Sequence, residues 1–179
     1  GGHDVGAFLD YGQPDPFTTP PSDNIAAAIR TLTAAGAKRF LLPTMPDAGS
    51  TLAYAGTERA ATATAICEAL NNGISTVAAT LPDELGIEVI VFDAASVFAA
   101  VATDPTAYGI THVAEAYLPD DQIDFTNPLR SRHSLPEDRV GVDPDEYMSF
   151  WSLAAGRRVH DALARAAADL LTAHFPVPR

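Results

Sequence analysis

The chain has 179 residues, 47% apolar and only 19% charged, a globular composition long enough to bury a core without staples and unlike that of a disordered segment. A formal net charge of -12, with one lysine (Lys38) and ten arginines, argues against a nucleic-acid binder, which needs a basic footprint, and against docking on an anionic membrane surface. No apolar run approaches the ~20 residues of a transmembrane segment, residues 1–20 carry no signal-peptide pattern, and the single Cys67 excludes an intramolecular disulfide.

Residues 1–22 read as a strand end followed by a long loop, punctuated by Gly1, Gly2, Gly6, Gly12, Pro14, Pro16, Pro20 and Pro21. Ser22, Asp23 and Asn24 then offer N-caps for a helix to about Ala35, with Ile25, Ala28, Ile29 and Leu32 at helical spacing and Gly36 as its stop. Lys38 to Leu42 reads as a short buried strand ended by Pro43. A loop from Thr44 to Thr57 leads into an alanine-rich helix from about Glu58 to Leu81. Within that helix Gly73 should cost about 1 kcal/mol relative to alanine. Asp83 and Gly86 turn the chain into a strand, Ile87–Phe92. This alternation predicts an α/β fold, a parallel sheet covered by helices, with Phe40–Leu42 and Val89–Phe92 as core strands.

Short helical stretches follow at Ala94–Thr103 and Pro105–Tyr108. In residues 119–146, Pro119, Pro128, Pro136 and Pro144 break any periodicity among eight acids, so this stretch reads as a long acidic surface loop within one domain spanning 1–179. Its Asp120, Asp121 and Asp124, with Asp143, Asp145 and Glu146, offer oxygen ligands for calcium, but neither cluster has the alternation or central glycine of an EF-hand loop. The last helix is expected from Ser152 to about Ala173, with Val159, Leu163, Ala167, Leu170 and Leu171 on one face. Phosphate-loop, dinucleotide, zinc and Gly-x-Ser-x-Gly signatures are absent, and nothing calls for a cofactor or a metal.

Three stretches taken in order resemble one family. Gly1-Gly2-His3-Asp4 resembles a Gly-x-Asn-Asp block. Asn24 to Gly49 is similar to a helix, strand and Pro-Asp-x-Gly loop, which Glu88–Asp93 continues as the next parallel strand. This second stretch ends in Asp104 to Tyr117, which is similar to an Asn-Pro-x-x-Tyr-Gly-Phe-x-Asn segment. Asp143 to His160 resembles Pro-x-x-Tyr-x-Phe-Trp-Asp followed by a small-residue helix start. Together these resemble the SGNH (GDSL-type) ester hydrolases of the secreted lipase, haemolysin and autotransporter-esterase branch.

The resemblance implies a flavodoxin-like parallel sheet flanked by helices and truncated at its N-terminus. It further implies a secreted or cell-surface setting, and a small-molecule or lipid ester as substrate if the chain is active. Family members attack the ester with a serine, assisted by an Asp-x-x-His pair and oxyanion donors. His3 then stands at the oxyanion asparagine, and Ser152, directly after Phe150-Trp151, stands near the triad aspartate. The Gly-Asp-Ser block would fall before Gly1.

No histidine here has an aspartate three residues earlier. His112 follows Gly109, His133 follows Arg130, His160 follows Arg157 and His174 follows Leu171. The expectation is therefore an ester hydrolase that is catalytically incomplete in this chain, or alternatively a non-catalytic binding or scaffold domain of the same fold. Without the family's first strand the sheet is expected to expose an unpaired edge, a route to self-association.

Overall fold

The computed structural model describes residues 2–12, 15–18, 20–120 and 135–175. The chain forms two compact units, Gly1–Ser50 with Tyr54–Ser96, and Thr51–Ala53 with Val97–Arg179.

In the first unit, the expected strand end is instead a helix, α1, Gly2–Tyr11. Val5, Phe8 and Leu9 recur at helical spacing and Val5 is fully buried, so an apolar stripe outweighs the helix cost of Gly6. Helix α2, Pro21–Ala34, starts earlier than the candidate caps suggest. Pro20 is its N-cap and no side chain caps it. Pro21 is already set at the helical φ, and its missing N–H would have had no partner in the first turn. Gly36, at φ 105°, turns the chain out of the helix into β1, Arg39–Pro43.

Helix α3 runs Ala60–Leu85, past the expected end at Leu81. Pro82 falls in its last turn, where one lost backbone bond is offset by Leu85 packing on the core. Gly86, at φ 62°, then leads into β2, Glu88–Phe92. As expected, β1 and β2 pair in parallel, in register from Arg39↔Glu88 to Pro43↔Phe92. One face of the pair, Phe40, Leu42 and Val89, packs on Ile29 of α2, on Val77 and Leu81 of α3, and on Ile87. Among the described residues no third strand joins this sheet.

The approach of α2 to α3 reverses one expectation drawn from helix propensity. A Cβ added at Gly73 would sit 2.4 Å from Ser22 Oγ and 2.6 Å from Ser22 Cβ, and Ser22 is buried. Gly73→Ala should therefore lower stability by roughly 1–3 kcal/mol through overpacking, instead of raising it by about 1 kcal/mol. Chemical denaturation of Gly73→Ala with and without Ser22→Gly checks this. The second substitution should recover most of the loss, and a stabilised Gly73→Ala single variant would refute the steric reading.

The second unit contains most of α4, Ala94–Thr103, a 3₁₀ turn over Pro105–Tyr108, and a three-stranded sheet. Here β3, His112–Ala116, runs parallel to β4, Tyr147–Trp151, and β4 turns back antiparallel into β5, Ala154–Ala155. The overall class is thus mixed α/β with a small parallel pair and a small mixed sheet. None of β3 to β5 was expected. The interior of β3 is exposed and shows no alternation, and its partner lies beyond the proline-rich stretch.

Because β4 and β5 occupy residues 147–155, helix α5 starts at Arg157, not Ser152, and runs to His174. Val101, Ile110 and Val159 form this unit's core, with Phe98, Met148, Ala155, Ala162 and Leu163 packed on it. Of the acidic stretch, residues 121–134 lie outside the described residues, and 3₁₀ turns occupy Glu137–Arg139 and Pro144–Glu146.

Candidate functional site

Ligand sites in open parallel sheets lie beyond the carboxyl ends of the strands. In the first unit those ends are Thr44 and Asp93. The Thr44 hydroxyl donates to Asp93 Oδ1 at 3.1 Å and accepts from the Ala95 amide at 3.0 Å. Asp93 also caps α4, accepting from the Ser96 amide at 3.1 Å and the Ser96 hydroxyl at 2.6 Å.

The loop after β1 is fixed from α3. Asn71 takes the Met45 amide at 2.7 Å and donates to the Met45 carbonyl at 2.9 Å. Asp47 Oδ1 accepts from the Gly49 amide at 2.9 Å and from the Thr64 hydroxyl at 2.7 Å. Cys67 is buried and its Sγ accepts from the Ala48 amide at 3.4 Å. Burial raises its thiol pKa, so at neutral pH it remains a protonated packing group. The polar groups at this edge mostly serve one another, and the arrangement is a rigid loop platform.

Hydrogen bonds from Ser96 hold the Asp93 carboxyl below the ordinary aspartate range, and Thr44 adds to this. A depressed folded pKa contributes stability above the unfolded value and loses it as pH falls through the folded one. Asp93→Ala should therefore cost about 1 kcal/mol near neutral pH as a lost cap. Urea denaturation should find the gap between the two proteins closing as the pH is taken below the aspartate range. An equal gap at both pH values would refute this assignment.

His3 lies in the first turn of α1, in the first unit. Ser152 lies in the turn between β4 and β5, in the second. At that turn the Ser152 amide donates to Asp120 Oδ1 at 3.2 Å, so a carboxylate does stand beside Ser152, supplied from another part of the chain.

Among the other histidines, contacts are seen for His112 and His174. His133 is outside the described residues. His160 is exposed on α5, and His174 Nδ1 lies 3.0 Å from the Leu170 carbonyl oxygen. His112 stacks on Tyr147 at 4.2 Å between centroids, with Nδ1 3.5 Å from Glu115 Oε1. Among the described residues no serine, threonine or cysteine side chain hydrogen-bonds His112, His160 or His174. A nucleophile and base in contact is the arrangement acyl transfer uses, and these three histidines do not form it.

The His112–Glu115 pair was not anticipated. Its only sequence signal is a carboxylate three residues after the histidine, the reverse of the Asp-x-x-His spacing.

The acids with calcium-like chemistry find other partners. Asp143 Oδ1 accepts from the Asp145 amide at 2.9 Å, Asp145 pairs with Arg157 at 2.7 Å, and the Thr111 hydroxyl reaches Glu146 at 3.4 Å. Asp121 and Asp124 lie outside the described residues. Among the described residues no group of three or more His, Cys, Asp or Glu side chains could hold a metal ion, and no helix is long and apolar enough to cross a membrane. No known family model matches this chain, and no curated protein matches it.

Proposed function

We propose that the chain is an SGNH (GDSL-type) ester hydrolase whose catalytic constellation is incomplete in residues 1–179. The observation that supports this most is the parallel β1–β2 pair, joined through α3 and followed at the end of β1 by the fixed loop Met45-Pro46-Asp47-Ala48-Gly49. That loop carries the most specific part of the resemblance, and it occupies the edge where such folds place their ligands.

The alternative, a non-catalytic binding or scaffold domain, is favoured by one finding. Among the described residues His112, His160 and His174 have no hydroxyl or thiol partner. Ser152 is also a neutral hydroxyl, which cannot stabilise an imidazolium as a carboxylate does.

Loss of a triad member in a serine hydrolase removes several orders of magnitude of rate. Residues 1–179 should therefore give no turnover of p-nitrophenyl acetate or butyrate above background. His160→Ala and His112→Ala are the controls. Turnover that disappears in either variant would show a relocated base at work and overturn the reading of an incomplete site.

A further inference from the structure

The segment from Leu135 to Asp143 is mostly exposed, Val140 at 69%, and within it Arg139 alone is buried, at 8%. Among the described residues, the Arg139 guanidinium makes each side-chain hydrogen bond that ties this segment to the second unit's sheet. Nη2 donates to Glu115 Oε2 of β3 at 2.7 Å, and Nε donates to the Tyr117 carbonyl at 3.2 Å. Nη1 donates to Asp138 on the segment itself at 2.7 Å. Cζ lies 5.3 Å from the centroid of the Tyr147 ring in β4. A planar fork suits this set of acceptors in a way a lysine ammonium does not.

The sheet beneath has its own support. The Thr111 amide donates to the Glu146 carbonyl at 2.9 Å, Tyr117 to Ser149 at 3.0 Å and Leu118 to Phe150 at 2.8 Å. His112 stacks on Tyr147 and its Nδ1 lies 3.5 Å from Glu115 Oε1, contacts in which Arg139 takes no part.

We infer that Arg139 is a single-point latch, and that residues 135–143 open and close on the β3–β4 sheet as a local unit while the strands stay paired. Opening removes together the two guanidinium hydrogen bonds that reach the sheet, to Glu115 Oε2 and to the Tyr117 carbonyl, while the bond to Asp138 travels with the segment. It uncovers the side of the Tyr147 ring under Arg139 and the Glu115 carboxylate. Segments with few buried contacts open at free energies far below that of global unfolding, and here one side chain supplies the burial.

Hydrogen exchange of the native chain, read by mass spectrometry, tests this. In Arg139→Ala the amides of Arg139, Val140 and Val142 should exchange roughly tenfold faster or more, while those of Tyr117 and Leu118 keep their rates. Arg139→Lys should fall between the two. Joint acceleration of segment and strands, or no acceleration of the segment, would overturn the latch. If Arg139→Ala does not fold, Arg139 is a core element and not a latch in that variant, and Glu115→Gln, at a half-exposed side chain, then decides by the same split.

Discussion

Leu81→Ala should lower the unfolding free energy by about 3 kcal/mol, within the usual 2–5 kcal/mol for a buried leucine truncated to alanine. Leu81 is 1% exposed and lies where α2, α3 and the β1–β2 face converge, against Ile29, Val77 and Ile87. The two-stranded sheet cannot relax into the vacated space without parting from α3, because Phe40, Leu42 and Val89 rest on the same cluster. Two strands alone are not independently stable, so the loss should reach the whole first unit. Urea denaturation followed by circular dichroism measures it. Leu32→Ala, at an α2 position 52% exposed, is the control and should cost under about 1 kcal/mol. Equal losses in the two variants would refute the placement of the core.

Gly156→Ala should destabilise the second unit by about 3 kcal/mol, at the upper end of ordinary overpacking. The backbone there, φ -71° and ψ 169°, is open to any residue, so the effect is purely steric. An added Cβ would lie 2.2 Å from the Tyr147 carbonyl oxygen and 3.3 Å from that of Met148. Both are backbone atoms of β4, and the Gly156 amide already donates to the Met148 carbonyl at 2.7 Å. Relief requires pulling the start of α5 away from β4, which disturbs Val159, a fully buried member of the core. Gly141→Ala is the contrast: φ is 81° but the space is open, so only a backbone cost of about 1 kcal/mol is expected. Thermal unfolding of both variants should rank them in that order, and the reverse order would refute the steric account.

The candidate site was legible only in part. The loop after β1, expected over Thr44 to Thr57, could be placed at a strand end because Pro43 stops the strand, and its bonds from Asp47, Thr64 and Asn71 explain why it is ordered. His3 and Ser152 were singled out by resemblance alone, and they fall in different units. Asp120 beside Ser152 had no local signal, since the two meet only through the β4–β5 turn.

Local pattern determined the alternation of helix and strand from α2 to β2, and with it the parallel pairing. Ile25, Ile29, Val77 and Leu81 repeat at the helical period, short apolar runs fill the strands, and Gly36 and Gly86 mark the helix ends at positive φ. A segment with one apolar face must bury it, so its period predicts its partner surface. Tertiary structure alone decided the rest. The exposed interior of β3 has no alternation to read, and its register with β4 is set by residues on the far side of the proline-rich stretch. Arg139, one arginine in an acidic stretch, is buried because Glu115, the Tyr117 carbonyl and the Tyr147 ring converge on it from two strands. A charge can be buried only where such acceptors are brought together, and that convergence exists only in the folded chain.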